Sequence, residues 1–500
     1  MTLQKARLER HAQALAKANA AIAAIRDEAA GEASRHKYHF MPPARWLNDP
    51  NGLIQFKGEY HLFYQYNPYG NRWGAMHWGH AKSKDLVHWE HLPIALAPSE
   101  PYDLDERGGC FSGSAVDDNG VLTLLYTGTV IRDGQVIQTQ CLATSTDGIH
   151  FEKYEGNPVI ALPPEEGSAD FRDPKVWKHE DTWYMVVGSC KEGRGKALLY
   201  RSPDLRKWEY VSVLAESDGS LGTMWECPDF FPLAGRHVLL FSPMGMENTT
   251  TVYLVGDMDY DSGKFTWDVQ GEIDFGFDYY APQSLLDDTG RRLIIAWLNS
   301  WDWMPWFKDF APPVQKYWCG SMSIPRTVEL DEDGKLKFLP VAEITSLREE
   351  GQVSGVQRIG KDMEIVLTEP VNEAWEMIAE FDLENCDAEE FGFKLRVSED
   401  RTQETVLSYF PATGILKFDR SRSDGWSEGV CTCKLEAFHN KLKLHIFMDT
   451  SVVEIYGNEG RTVMTHNIFP HPDSMSTLLF SRGGSVKLTS LKSWKLRPVW

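Results

Sequence analysis

The chain repeats itself, and a repeat with a long period restricts a sequence to architectures built from one recurring supersecondary unit. Five segments align: LNDPNGLIQFKGEYHLFYQ from Leu47, FSGSAVDDNGVLTLLYTG from Phe111, FRDPKVWKHEDTWYMVVGS from Phe171, ECPDFFPLAGRHVLLFSP from Glu226 and YAPQSLLDDTGRRLIIAWLN from Tyr280. Each is a short polar opening, a β-rich run, a turn and a second β-rich run. With Pro50, Gly113, Pro174, Pro228 and Pro282 as equivalent points, the intervals are 63, 61, 54 and 54 residues. A second signature recurs in phase, SKDLVHW ending at Trp89, STDGIHF at Phe151, SPDLRKW at Trp208 and DSGKFTW at Trp267, at spacings of 62, 57 and 59. Together they define a module of about four strands, too small to bury its own face and obliged to stack on its neighbours. Radial stacking, a five-bladed β-propeller, answers that requirement, whereas a parallel β-helix needs a much shorter repeat.

After Arg326 the repeat stops. Pro340 to Glu350 connects to a second regime in which Phe391, Phe393, Leu395 and Val397 alternate, as do Leu442, Leu444, Ile446 and Met448. Alternation without helical periodicity predicts an antiparallel β-sandwich. The expected layout is a helical extension over 1–34, a propeller over 35–338, a linker over 339–351 and a sandwich over 352–500. In the extension, Leu8, Leu15, Ile22 and Ile25 share one helical face, and no Pro or Gly precedes Gly31. Its mixed charges direct it to the protein's own surface or to a sister subunit in a homo-oligomer, not to a membrane. The expected class is therefore all-β with a short N-terminal α-helix.

Lys and Arg number 51 against 72 Asp and Glu, a net charge of −21 that repels nucleic acid and anionic membranes. No apolar run approaches the ~20 residues of a bilayer span. Lys5, Arg7, Glu9, Arg10 and Lys17 break up any N-terminal apolar stretch, so no signal peptide is expected. Eight scattered Cys, paired in spacing only at Cys431 and Cys433, fit the reduced thiols of a cytoplasm. The expected partner is a small neutral molecule or a specifically gripped anion, and 18 Trp, 18 Tyr and 24 Phe suit stacking on sugar faces. No metal or organic cofactor is expected. His77 and His80 lack the companions of a zinc site. Asp257, Asp259 and Asp261 resemble a calcium loop, but Gly263 falls one position late and the twelfth residue is Asp268.

In a propeller the first strand of each blade lines the central channel, so the strand openings converge at one mouth. Asp49, Asp173 and Glu226 open three of them, Ser112 and Gln283 the other two. Crowded like charges raise a carboxyl pKa and cost stability, which folding alone does not explain. Asx turn chemistry before proline explains any one of these acids but not three at equivalent positions. Glycoside hydrolysis does use such a set: one carboxylate attacks, a second donates and then removes a proton, and the two stand ~5 Å apart when configuration is retained.

WLNDPNG at Trp46, FSGSA at Phe111, FRDP at Phe171, ECPD at Glu226 and YAPQS at Tyr280 resemble the successive motifs of glycoside hydrolase family 32, the invertases, fructanases and sucrose-6-phosphate hydrolases. The resemblance runs through residues 38 to 330 and continues to the VVEIYGNEG and HNIFP stretches. It implies Asp49 as nucleophile, Glu226 as acid/base and Asp173 as stabiliser of the oxocarbenium-like state. It also implies substrate contacts from Trp46, Asn48, Gln65, Trp73, Phe111, Ser112, Arg172 and Trp301, with Trp297, Trp303 and Trp306 close to the last in sequence. Asp49 should stay ionised, Glu226 should carry a proton, and Arg172 should help to keep its neighbour Asp173 charged.

The helical extension, WGHAKSKDLVHWEHLPIAL and DPKVW most resemble the bacterial intracellular sucrose-cleaving branch. The implied activity is a retaining β-fructofuranosidase acting on sucrose or sucrose 6-phosphate, and the small-molecule partner is one of these or a short fructooligosaccharide. A 6-phosphate would need cations at the rim, for which His77, Lys82, Arg72 and Arg132 are candidates. Fructan hydrolysis or fructosyl transfer, an inverting furanosidase, and a non-catalytic sugar-binding propeller are the alternatives.

Overall fold

The structure, a computed structural model, describes residues 3–310, 316–367 and 372–500. Within them each of the five repeats forms one sheet. The motif-bearing first strands are Arg45–Phe56, Gly109–Asp118, Phe171–His179, Met224–Leu233 and Tyr280–Leu286, each paired antiparallel with the next strand along the chain. These first strands pack on one another in chain order, and Tyr280–Leu286 packs back against Arg45–Phe56. The first sheet, a curled half-barrel, gains a parallel neighbour from far along the chain: Arg45 and Trp46 register with Trp318 and Cys319.

All five first strands break register at the equivalent point. The irregularities fall between Leu47 and Pro50, Phe111 and Gly113, Arg172 and Lys175, Glu226 and Asp229, and Tyr280 and Gln283. Four of the five contain a proline, which has no N–H to give to a ladder and therefore belongs at a bulge or an edge. A bulge bends the strand and re-aims the side chain beside it. Asp173, Cys227 and Ala281, each preceding one of these prolines, sit at φ of 67°, 48° and 51°. A left-handed non-glycine residue costs about 1–3 kcal/mol and persists where the surroundings over-determine it.

The second signature is turn chemistry. Asp85, Asp147 and Asp204 each accept two backbone N–H bonds from residues two and three positions on, and each bonds the Ser at its motif's start. Trp89 and Trp208 close the turn by donating Nε1–H to Leu86 and Leu205 carbonyls. The N-terminal helix Leu3–Ala23 lies on the strand Trp89–Leu96, with Ala18 and Ile22 buried. Arg7 and Arg10 pair with Glu100, and Asn19 accepts from the Ile94 N–H. No helix among the described residues is long and apolar enough to cross a membrane.

The remaining strands form a seven-stranded and a six-stranded sheet, joined to the first five by Leu336–Pro340 and the 3₁₀ turn Ala342–Leu347. Phe381, Leu444 and Ile446 of one sheet pack with Phe391, Phe393 and Leu479 of the other in a shared core.

A buried charge network joins the two halves. Arg326 donates to Asp274 at 2.9 Å and to Glu454 at 2.7 Å, and all three side chains are fully buried. His39 bridges Asp449 at 2.9 Å and Glu454 at 3.1 Å. Burial alone would lower the His39 pKa, but the bonds to Asp449 and Glu454 outweigh it and hold the imidazolium up to about 9. Removing one member of such a network leaves buried charge uncompensated, so Arg326→Met should cost about 3–5 kcal/mol in denaturant unfolding. A His pKa raised above its ordinary 6.5 adds stability that is complete below that pH and is lost as pH rises through about 9. The unfolding free energy should decline across that window, and His39→Gln should flatten the decline.

Candidate active site

The bulges bring the motif residues together. Ser112 donates to Asp49 Oδ2 at 2.6 Å, which links the first and second sheets. Cys227 donates its N–H to Asp173 Oδ2 at 2.8 Å, linking the fourth to the third. The Cys227 thiol lies 3.5 Å from both Asp49 Oδ2 and Asp173 Oδ2, so two such lengths bound the separation of those oxygens. Glu226, adjacent to that cysteine, is held at Oε1 by the Arg172 fork, with Nε at 3.1 Å and Nη2 at 3.0 Å. Its Oε2 accepts from the Tyr280 hydroxyl of the fifth sheet. Every sheet thus contributes to one acid-lined mouth.

Burial is the first cause of the electrostatics here. It raises the Asp49 carboxyl, aided by Glu226 and opposed by hydrogen bonds from Ser112, Asn48 and Cys227. It raises Asp173 to about 7, with Glu226 and Asp49 adding to the rise and Arg172 opposing it. The thiol of Cys227 is pushed up by burial and by the same acids, so it stays protonated and can donate to both carboxylates. Asp49 Oδ1 is buried with no hydrogen-bond partner among the described residues. An unpaired buried carboxylate oxygen is costly, and it is the atom a nucleophile needs free.

Around the acids, Trp46 is buried and donates Nε1–H to Asn48 Oδ1 at 2.8 Å. Gln65 donates to the Cys110 carbonyl at 2.9 Å. Trp73, 39% exposed, meets Phe111 edge to face at 5.7 Å and forms a rim on the first two sheets. Trp301 packs on Trp46 and Trp297, while Trp303 lies against Tyr280. Trp297 is fully buried, and Trp306 turns away to donate to Ser300 Oγ.

Arg172 opposes the rise of the Asp173 pKa through space, as expected of its neighbour, while its hydrogen bonds go to Glu226 and Asp170. The four phosphate candidates each have another partner in the fold. His77 is buried against the Ala75 carbonyl with its pKa lowered to about 4, Lys82 pairs with Glu59 and Glu90, Arg72 with Asp309, and Arg132 with Asp105. Sequence reasoning assigned no role to Tyr280 or Cys227. Their signal was available, since both directly follow or open a motif at the repeating proline.

An acid-lined mouth of this construction, on an all-β frame, is that of a glycoside hydrolase. Residues 39–340 match the model for the glycosyl hydrolases family 32 N-terminal domain, and residues 343–495 that for the family 32 C-terminal domain. The chain is 42% identical to a sucrose-6-phosphate hydrolase of Escherichia coli over 92% of its own length and 94% of the relative's. It is 39% identical to a raffinose invertase of Escherichia coli with the same coverage, 92% and 94%. Among solved structures, a mutant of the Bombyx mori family 32 β-fructofuranosidase in complex with sucrose superposes with a TM-score of 0.82 at 33% identity, covering 100% of this chain and 99% of that one. The chain belongs to glycoside hydrolase family 32.

An acid whose pKa is raised by folding destabilises the folded state progressively as pH climbs from its ordinary 3.8 through about 7. Asp173→Asn should therefore raise the melting temperature at pH 8 and leave it nearly unchanged at pH 4, as thermal unfolding at the two pH values will show.

Proposed function

We propose that this protein is a retaining β-fructofuranosidase that hydrolyses the fructosyl bond of sucrose or sucrose 6-phosphate. The observation that carries the reading is the pairing of an unbonded buried oxygen, Asp49 Oδ1, with a second carboxyl group, Glu226, in the same mouth. Asp49 Oδ1 attacks the anomeric carbon of the fructosyl unit while Glu226 gives a proton to the departing glucosyl oxygen. The glycosidic bond breaks and a fructosyl ester of Asp49 forms. Glu226, now a carboxylate, takes a proton from water, whose oxygen attacks the same carbon and releases Asp49. Asp173 accepts hydrogen bonds from fructosyl hydroxyls and offsets positive charge in the oxocarbenium-like state. Asn48, Gln65, Ser112 and Arg172 orient the ring, and Trp46, Trp73, Phe111 and Trp301 form the apolar wall.

The relatives' names support the substrate class, and the sucrose held by the silkworm enzyme supports the sugar. The cyclic packing of the five first strands supports a five-bladed propeller over 35–338, followed by a linker over 339–351 and the sandwich over 352–500. Eight free cysteines fit a cytoplasmic enzyme.

Asp49→Asn and Glu226→Gln should each lower kcat by roughly a thousandfold or more with the melting temperature unchanged or raised. A collapse in folding would make these acids structural. With an activated leaving group, azide should restore turnover to Glu226→Ala and not to Asp49→Ala, and NMR of the first product should show retained configuration. Side-by-side kcat/KM on sucrose, sucrose 6-phosphate and inulin will rank the substrates.

A further inference from the structure

We infer that the sandwich is part of the active-site apparatus: Arg420 and Asn467 act as positioning residues that hold the wall of the mouth formed by residues 298–306. The inference rests on the reading of that mouth as the sugar site.

The wall lies between two anchored ends. It follows the strand Arg292–Trp297 and carries Trp301 against Trp46 and Trp303 against Tyr280, the residue that bonds Glu226. On the other side, residues 274–278 lead into the fifth first strand. They are laid along the sandwich strand Thr462–Asn467. Phe275 donates its N–H to the Val463 carbonyl at 2.8 Å, Asp278 to the Thr465 carbonyl at 3.2 Å, and Thr465 returns a bond to Asp274 Oδ1 at 2.9 Å. The approach is so close that a Cβ on Gly276 would stand 2.0 Å from the Thr465 carbonyl oxygen.

Asp278 connects the two. Its Oδ2 accepts from Arg420 Nη1 at 2.7 Å and from the Asn467 N–H at 2.8 Å, both on the sandwich. Its Oδ1 accepts from Ser300 Oγ at 2.9 Å, on the wall. Ser300 Oγ accepts in turn from Trp306 Nε1 at 2.8 Å, and Asn467 Nδ2 donates to the Leu298 carbonyl at 3.2 Å. Arg420 also stacks over Phe277 at 4.4 Å. Asp278, Ser300, Arg420 and Asn467 are all buried. Charge-assisted bonds in such surroundings are short and strong, and they keep one arrangement where a free loop samples many. A fully satisfied network between a separate sheet and an aromatic wall fixes where Trp301 and Trp303 stand before substrate arrives. None of the three acids belongs to it, and it reaches Glu226 only by way of Trp303 and Tyr280, so it acts first on binding geometry.

The test uses the full-length enzyme and the variants Arg420→Gln, Ser300→Ala and Asn467→Ala, with Arg420→Lys as the conservative control. Two readouts are taken on folded protein: hydrogen exchange of 298–306 without substrate, and steady-state kinetics on sucrose. Exchange in 298–306 should rise about tenfold while Met224–Leu233 keeps its protection. KM should rise about five- to tenfold with kcat changed less than twofold and the pH profile unmoved, and Arg420→Lys should recover part of the loss. A lowered melting temperature with unchanged exchange in 298–306 and unchanged KM would overturn the proposal, as would faster exchange with unchanged KM. Should Arg420→Gln fail to fold, Ser300→Ala removes a single hydroxyl and decides the matter. A wild-type enzyme inert toward every fructoside would sink the functional reading alone, and the exchange measurement would still show whether the sandwich holds the wall.

Discussion

Five strands leave their ladders at the same place, and the site depends on that departure. A regular strand alternates its side chains between two faces and cannot aim one along the axis of a ring of sheets. A bulge can. Pro50, Pro174, Pro228 and Pro282 each remove a ladder donor where the strand bends, and the side chain beside the bend turns into the mouth. Asp49, Asp173, Cys227 and Ala281 directly precede these prolines, so the repeat that builds the frame also builds the site.

Bringing acids together in this way opposes folding. Asp173 is raised to about 7, and Asp49 Oδ1 has nothing to accept from among the described residues. Part of this charge is satisfied without being neutralised by the Arg172 fork on Glu226, the Ser112 hydroxyl on Asp49, and the Cys227 backbone and thiol on Asp173. Stability comes from elsewhere, from large aromatic cores and from the fully bonded Arg326, Asp274 and Glu454 group between the halves of the molecule. Charges at that junction are paired. Those in the mouth are left partly unpaired, which is the expected division between structure and chemistry.

The second half of the chain is no passive cover. Its strand Thr462–Asn467 receives the segment that enters the fifth sheet, and Arg420 and Asn467 bond the aspartate from which the aromatic wall hangs. Alternation along 352–500 predicts a sandwich, but pattern alone says nothing about which outer face meets which loop. That junction joins Asp278 to Arg420 and Asn467, each more than a hundred positions away in sequence.

The sequence by itself determined the all-β class, the N-terminal helix and the period of the frame, and it showed acids at or beside three of the repeated prolines, because these are properties of local spacing along the chain. Tertiary structure alone decided the partners. Arg172 went to Glu226 and not to its neighbour Asp173, Tyr280 closed on the same glutamate from another sheet, and His77, Lys82, Arg72 and Arg132 dispersed to separate carboxylates or carbonyls. The physical reason is one of range. Strand periodicity and turn chemistry act over a few residues and leave a readable pattern, whereas a hydrogen bond or ion pair forms with whatever group the packed chain brings within about 3 Å, however distant it is in sequence.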